Sequence, residues 1–473
     1  MKKIACFCIP AHGHTNPMLP VAAELVSRGD RVRFYSFREF EEKIRAAGAE
    51  FVPCDAFLPA LTEREAAGIK SVSSTEMTIQ DIRITRGMDA FLDEEFRTFG
   101  PDVVYTDSVC FWGKLNAWKH RVPMVVSTST FAFNQLSSQY MKNSPKELAD
   151  MILGLPKISR ELKSLEPLGY HVKGALALVQ NDNQTDSVVY TSRRFQPCAE
   201  SFSDHYAFVG PSVFSRALPN KAGDRPLVYI SLGTVINDRP DFYKKCVEAL
   251  KDEALDVVIS CGNAVDREAL GELPGNVRVF PRVDQLDVLS RARAFISHCG
   301  MNSVSESLYM ATPLVLYPQT NEQQAVARRV TEIGAGVMLR DDSVSGIRAA
   351  VLEVLGNPAY GAAAEACGQD FRACPGPKGA AEFIETAPHA SDGVDLVREL
   401  NKSNGRFRLL YWLAAAALIV LVGTLIGWKW VWIVGVPAGV LSAPIGKLFQ
   451  KKRYAALAEK YGKEKELVKE EVS

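Results

Sequence analysis

The sequence predicts an α/β protein: two doubly wound domains facing each other across a cleft, followed by a C-terminal transmembrane helical hairpin. Three observations carry this expectation. From Ile4 onward short apolar runs alternate with segments of helical periodicity, the pattern of parallel sheets with crossover helices. The alternation restarts at Leu227, beyond the polar, Pro- and Gly-containing stretch Arg216–Pro226. Two long uncharged runs then follow near the C-terminus. At 473 residues the chain exceeds one ordinary core, so residues 1–215 and 227–385 are read as two domains joined by the linker 216–226.

In the first domain, Ile4–Pro10 reads as a strand and Leu19–Arg28 as a helix ending at Gly29. Strand Arg31–Ser36, helix Phe37–Ala47 and strands Pro101–Asp107 and Val122–Thr128 follow. The irregular, polar stretch from Asp55 to Gln80 is expected to be a loop-rich pocket wall. In the second domain the strands are Leu227–Leu232, Asp256–Cys261, Asn276–Phe280, Ala294–Ser297 and Leu314–Tyr317. Its helices are Phe242–Lys251, Asn302–Met310 and Gln323–Ile333. Residues 386–407 read as a polar tether. The run Leu409–Trp428 holds twenty residues without a charge, and twenty helical residues span roughly the 30 Å of a bilayer's hydrocarbon core. A second run, Trp430–Gly446, contains Pro437 and Pro444, and together they give a hairpin over 408–449 with Lys429 at its turn. Lys402, Arg406 and Arg408 precede the hairpin, and Lys447, Lys451, Lys452 and Arg453 follow it. By the positive-inside rule both ends face the cytoplasm, which places the protein in the cell membrane with its α/β domains and the charged tail 450–473 on the cytoplasmic side.

Composition removes several function classes. Lys plus Arg and Asp plus Glu both number 55, so there is no basic footprint for nucleic acid. Hydrophobic residues at 47% and charged ones at 23% exclude disorder. The ten Cys lack paired CxxC spacing and the N-terminus lacks a secretory signal, so reduced thiols in a cytosolic compartment are expected.

In such sheets ligands bind beyond the carboxyl ends of the strands. After the first strand comes Pro10-Ala-His-Gly-His-Thr-Asn-Pro17, with no GxGxxG, so a dinucleotide-binding dehydrogenase loses its main support. His12 reads as structural. His14 can take a proton from a hydroxyl if a carboxylate orients its other nitrogen, and Asp107 ends a strand of the same domain. The His-x-His pair has no third metal ligand nearby. In the second domain Ser231-Leu-Gly-Thr234 follows a strand and offers hydroxyls and free amides to a phosphate. Ser297-His-Cys-Gly-Met-Asn-Ser303 opens a helix whose N-terminal amides suit an anion. Glu306 lies one turn past Ser303, where a carboxylate meets two vicinal hydroxyls, and Asn321-Glu-Gln-Gln324 can hydrogen-bond a sugar. As an ordered series these motifs describe a nucleotide-sugar site.

At these residues the sequence resembles the family-1 glycosyltransferases of the GT-B fold, of the bacterial macrolide-glycosyltransferase type, over roughly Met1–Glu385. The most specific part is Ser297-His-Cys-Gly-Met-Asn-Ser-Val-Ser-Glu-Ser-Leu with the downstream Thr-Pro-Leu-Val and Asn-Glu-Gln-Gln. The resemblance implies His14 as general base with Asp107 as its partner. It implies that Ser231, Gly233, Thr234, His298, Gly300, Asn302 and Ser303 hold the pyrophosphate, Glu306 the ribose, Glu322 and Gln323 the sugar, and Gln285 the uracil side. Two departures stand out: Arg282 occupies a position often aromatic in the family, where its guanidinium can also stack on a base, and Glu322 stands where Asp is common. The family usually ends with the second domain, so the hairpin is an addition.

The implied activity is inverting transfer of a hexose, glucose foremost, from a UDP-sugar to a hydroxyl of a small hydrophobic acceptor such as a macrolide, polyketide or flavonoid. No metal and no cofactor beyond the UDP-sugar co-substrate is expected. The alternatives are a glycosyltransferase of membrane glycolipid or cell-wall lipid, and a non-catalytic nucleotide-sugar-binding membrane protein.

Overall fold

The protein is described from a computed structural model covering residues 1–57, 73–134, 136–141, 145–172, 184–213, 218–223, 225–234, 236–263, 265, 270–390, 396–426, 428 and 432–472. The chain divides into two units, Met1–Pro197 with Tyr206–His389, and Cys198–His205 with Ala390–Ser473.

The first part of the larger unit runs β1 (Lys3–Phe7), α1 (His12–Ser27), β2 (Arg31–Ser36), α2 (Glu41–Ala46), β3 (Glu50–Pro53), α3 (Ser74–Phe99), β4 (Val103–Asp107), α4 (Phe111–His120), β5 (Met124–Thr128), α5 (Pro145–Lys163), β6 (Ser187–Val189) and β7 (Tyr206–Phe208). Its strands form one sheet in the order β3-β2-β1-β4-β5-β6-β7. The second part runs β8 (Leu227–Ser231), α6 (Pro240–Leu250), β9 (Asp256–Ser260), β10 (Val277–Phe280), α7 (Gln285–Arg291), β11 (Ala292–Ser297), α8 (Met301–Tyr309), β12 (Leu314–Leu316), α9 (Asn321–Glu332), β13 (Gly336–Met338), α10 (Val344–Gly356), α11 (Pro358–Ala373) and α12 (Gly376–Thr386). Its sheet has the order β10-β9-β8-β11-β12-β13. Every strand pairing recorded in the two sheets is parallel. Helices cover both faces, so β4 and β8 are buried along their whole length and open on apolar residues without alternation, turning polar only at their carboxyl ends.

Strand order turns around between β1 and β4 in one sheet and between β8 and β11 in the other. The connections leaving those strands diverge there and open a crevice at their carboxyl ends. The four loops flagged by sequence lie at these two crevices.

Several boundaries differ from the sequence expectation. Helix α1 begins at His12 rather than Leu19, with Pro17 and Pro20 inside it. Pro17 has no N–H to offer the carbonyl four residues back, and that carbonyl, of Gly13, instead accepts from Asn302 Nδ2 at 2.9 Å. Of the expected pocket wall 55–80, residues 58–72 lie outside the described residues, and from Ser74 the chain is already in the 26-residue helix α3. The linker expected at 216–226 is described only at 218–223 and 225–226. Strands β3, β6, β7 and β13 are additional, and three of them have only three residues. Helix α12, expected to complete the second domain at 385, crosses back: Ala380, Ala381 and Ile384 are buried in the first core, and Arg28 pairs with Glu385 at 2.9 Å.

In the smaller unit, α13 (Leu396–Leu425) starts within the expected tether 386–407. Helix α14 (Trp432–Val472) continues through the expected tail 450–473. The turn at Lys429 lies outside the described residues. Phe407 stacks on Phe449 at 4.1 Å, and Tyr411 Oη donates to the Ala438 carbonyl at 2.7 Å. Helix Arg398–Leu425 is long and apolar enough to cross a membrane, with 11% of its apolar window buried. Trp432–Ser442 and Pro444–Leu457 meet that criterion only as a pair, bent by 42°.

One glycine sets how α4 seats beneath Asp107. A Cβ on Gly113 would overlap Thr106 Oγ1 and approach Phe7 Cβ to 2.7 Å. Gly113→Ala is expected to cost about 1–3 kcal/mol of stability by overpacking, read as a lower denaturant midpoint; an unchanged midpoint would show that α4 can shift freely.

Candidate active site

Asp107 ends β4 and its side chain is wholly buried. A buried carboxylate needs hydrogen-bond donors. Its Oδ1 accepts from the Val109 amide at 3.0 Å, and its Oδ2 lies 2.7 Å from His14 Nδ1. With the Nδ1 proton directed at a carboxylate, the neutral imidazole keeps its lone pair on Nε2. Ser129 Oγ, just beyond β5, stands 3.1 Å from the same Nδ1. Burial works against a charged His14, but the charge and hydrogen bond of Asp107, with Glu322 adding to them, outweigh it and hold the pKa above the ordinary histidine value. Two further charged side chains feel Asp107. Burial, reinforced by Asp107, raises Asp81 of α3 to about 7. Burial lowers Lys114 of α4 to about 8, although Asp107 opposes the shift.

His12, one residue before Gly13, turns to a different carboxylate, Glu39, at 2.9 Å. Burial and then Lys43 lower its pKa, and Arg282 contributes in the same direction. The two imidazoles of His-x-His therefore serve separate carboxylates.

In the second domain Gly233 has φ +80° and Gly300 caps α8 without a side-chain hydrogen bond. The His298 ring fills the space between these glycines: a Cβ on either would come within 2.5 Å of it. Burial drives the His298 pKa down to about 4, with the Ser231 backbone slightly opposing, so the ring is neutral near pH 7. Cys299 adopts φ +66°, unusual for a side-chain-bearing residue, and makes the turn that lets α8 begin. The α8 first-turn amides of Met301, Asn302 and Ser303 thus lie beside a neutral imidazole and a glycine-lined loop. Thr234 is exposed at the end of that loop.

Gln285, at the start of α7, joins residues that sequence spacing had only grouped. Its Nε2 donates to Glu306 Oε2 at 2.7 Å and to Ser303 Oγ at 3.4 Å, while its Oε1 accepts from Tyr229 Oη at 3.2 Å. Burial raises the Glu306 pKa to about 7; the Gln285 hydrogen bond opposes this and Asp284 adds to it. Gln323 is partly committed: its Oε1 accepts from the Gln319 and Thr320 amides at 2.8 and 3.2 Å, half of a capping box with Thr320. Its Nε2 is the end left to face a ligand.

The two halves share one cleft. Asn302 donates across it to Gly13, Glu322 acts on His14, and Arg282 acts on both His12 and Lys43. Sequence reasoning missed Ser129, Tyr229, Asp81, Lys114 and Lys43. Ser129 was within reach: Ser127 pairs in register with Asp107, so residues just beyond it emerge at the same edge. Lys114, a lone cation in the apolar stretch Phe111–Ala117, was a second available signal.

Residues 245–386 match the family model described as the C-terminal domain of proteins like erythromycin biosynthesis protein CIII. An uncharacterised UDP-glucosyltransferase of Bacillus subtilis is 32% identical over 396 residues, covering 81% of this chain and 97% of that one. The oleandomycin glycosyltransferase of Streptomyces antibioticus is 28% identical, covering 75% of this chain and 84% of its own. The crystal structure of the glycosyltransferase of kitacinnamycin matches with a TM-score of 0.68 at 27% identity, over 81% of this chain and 98% of that one. The chain belongs to the family-1 glycosyltransferases of the macrolide type, with the GT-B fold, and is a glycosyltransferase enzyme.

Proposed function

We propose that this enzyme moves a hexose, glucose foremost, from a UDP-sugar to a hydroxyl of a small hydrophobic acceptor, with inversion and without a metal ion. The observation that carries the reading is the His14–Asp107 contact at 2.7 Å, set opposite Glu322 in one cleft. The names of the relatives support the choice of donor and of a natural-product acceptor.

His14 Nε2 takes the acceptor hydroxyl's proton as that oxygen attacks the anomeric carbon. The bond to the nucleotide's β-phosphate oxygen breaks, and UDP leaves with the electron pair. A single displacement inverts the configuration. The charge on the leaving phosphate is met by the α8 amides and the neutral His298 N–H, dipoles already in place before reaction. Ser231, Gly233, Gly300, Asn302 and Ser303 flank the pyrophosphate, and Thr234 borders it. Glu306 takes the ribose hydroxyls beside Gln285, Glu322 and the Gln323 amide take sugar hydroxyls, and Arg282 stacks on the base.

The hairpin is proposed to anchor the enzyme in the cell membrane with its catalytic unit on the cytoplasmic side, where a charged nucleotide sugar is found. The apolar, largely exposed face of Arg398–Leu425 supports this, and it favours acceptors that dissolve in a bilayer, membrane glycolipids included.

His14→Ala is expected to lower kcat by about 10²-fold or more while leaving UDP affinity nearly intact. Because the base must be neutral and its pKa is raised, the acid limb of kcat/KM is expected above pH 6.5, with activity rising as pH increases. Asp107→Asn should move that limb to lower pH and cut the plateau; retention of more than about a tenth of kcat in His14→Ala would remove His14 from the role. Glu306→Ala and His298→Ala are each expected to weaken UDP binding about ten- to a hundred-fold by calorimetric titration, with chelator leaving turnover unchanged. Unchanged affinity in both variants would place the nucleotide elsewhere. The full-length chain is expected to float with phospholipid vesicles and to resist extraction by carbonate; release by carbonate would refute the anchor.

A further inference from the structure

Helix α5 carries one buried apolar stripe and, in its first half, further apolar residues that nothing among the described residues covers. Ile158 and Leu162 are buried with Ile82 of α3 and Phe111 and Leu115 of α4. Within one turn, three apolar side chains reach the surface: Leu153 is 74% exposed, Ile152 59% and Leu155 40%. Helix α3 adds Met77, 56% exposed, close to where Thr75 packs against Gly154 and donates to Asp150 at 3.2 Å. Exposed Lys157, Arg160 and Lys163 follow along α5. The intervening Glu161 is paired with Arg83 at 2.7 Å, with Arg86 also near, so the Lys157–Lys163 side of this edge is cationic, while Glu76 and Asp150 stand on the other side. An exposed apolar patch next to a run of basic residues suits a membrane interface, where apolar side chains enter and cations meet the headgroups.

We infer that the edge formed by Met77, Ile152, Leu153 and Leu155, fringed by Lys157, Arg160 and Lys163, docks on an anionic phospholipid bilayer and receives the acceptor from it. The inference rests on the proposed membrane anchor. Two observations favour a bilayer over a protein as occupant. The same chain carries an 18-residue apolar window that is only 11% buried, so the bilayer is the apolar phase held permanently within reach of the catalytic unit. The fringe cations complement anionic headgroups. The location also has a purpose. The α3–α4–α5 cluster bearing this edge begins at the His14–Asp107 site: α4 starts four residues beyond Asp107, and α3 carries Asp81, which feels Asp107 directly. An alcohol dissolved in the bilayer therefore enters beside the base without crossing water.

The test uses the full chain in vesicles of phosphatidylcholine with phosphatidylglycerol. A Leu153→Cys variant labelled with an environment-sensitive fluorophore, read against labelled wild type, should shift to the blue and be quenched by lipids carrying a spin label near the headgroup. Combined Ile152→Glu and Leu153→Glu should lower transfer to a bilayer-dissolved long-chain alcohol by at least about tenfold and leave transfer to a water-soluble phenol within about twofold. Phosphatidylcholine alone should weaken the quenching. A chain that floats with vesicles while its probe stays in water, with unchanged transfer to the bilayer alcohol, overturns the docking edge and leaves the anchor standing. A probe equally shielded without vesicles means the chain itself covers the edge, and overturns it too. A chain that does not float overturns the anchor and this inference together.

Discussion

Asp107 has no exposed surface, and a buried carboxylate left without donors would be worth several kcal/mol of instability. Everything around it answers that constraint. The Val109 amide and His14 Nδ1 supply the donors, and Lys114 supplies a cation within electrostatic reach. His14 can meet Asp107 because α1 starts at His12, immediately beyond β1, on the neighbouring strand of the same sheet. The turn between β1 and α1 is therefore fixed by a carboxylate more than ninety positions away in sequence. The same contact that relieves a buried charge also selects the histidine tautomer with a basic Nε2, so stability and chemistry share one hydrogen bond.

The second constraint is closure of the cleft. Pro17 leaves the Gly13 carbonyl without its helical partner, and Asn302 from the other domain fills it. Phe195 packs between Phe131 and Phe371, with ring centroids 5.5 Å from each, and Arg329 donates to the Phe195 and Arg194 carbonyls at 3.0 and 2.7 Å. Helix α12 then returns to the first core, where Ile384 is wholly buried. The two domains are thus joined at both ends of the second one, by an apolar cluster in which Phe131 and Phe195 of the first meet Phe371 of the second, and by polar contacts across the cleft. That arrangement suits a site which must admit a charged donor and a hydrophobic acceptor from different directions.

The two-sheet plan was legible because buried parallel strands announce themselves as mostly apolar runs, as β1, β5, β8 and β12 do, while β2 and β10 showed instead as short alternating segments. Three of the strands that escaped notice have only three residues, too short for periodicity to register. The start of α1 escaped because Pro17 reads as a helix boundary, whereas a proline is tolerated wherever another donor takes the stranded carbonyl. Strand ends brought His14 and Asp107 to one edge of the sheet as candidates, and the family resemblance supplied their pairing. The Gln285–Glu306–Ser303 cluster was legible as separate residues, while the amide that ties them together depends on the turn before α7. Gln323 shows the opposite case: its identity suggested a sugar contact, yet half of its side chain is spent capping α9. Lys43 and Arg282 meet only through the domain arrangement, which no local pattern encodes.

The two faces of the cleft handle charge in opposite ways, according to whether a neighbouring charge or burial prevails. On the first domain the carboxylate beside His14 outweighs burial and prepares the imidazole to accept a proton. On the second domain burial wins: His298 is held neutral and Glu306 is pushed to about 7, so the residues around the proposed pyrophosphate and ribose positions carry little fixed charge, and Arg282 and Glu322 stand beyond them. A strongly cationic pocket would bind the diphosphate product as firmly as the transition state and gain nothing in rate. In the proposed transfer, amide dipoles and a neutral imidazole N–H would strengthen their hold as negative charge builds on the departing phosphate, with no reorganisation needed. The tight glycines at 233 and 300 follow from the same requirement, because His298 can lie flat between the loop and α8 only where neither neighbour has a side chain. The donor half is thus a device for keeping an imidazole dry and uncharged next to a helix terminus, and the acceptor half a device for keeping another imidazole basic.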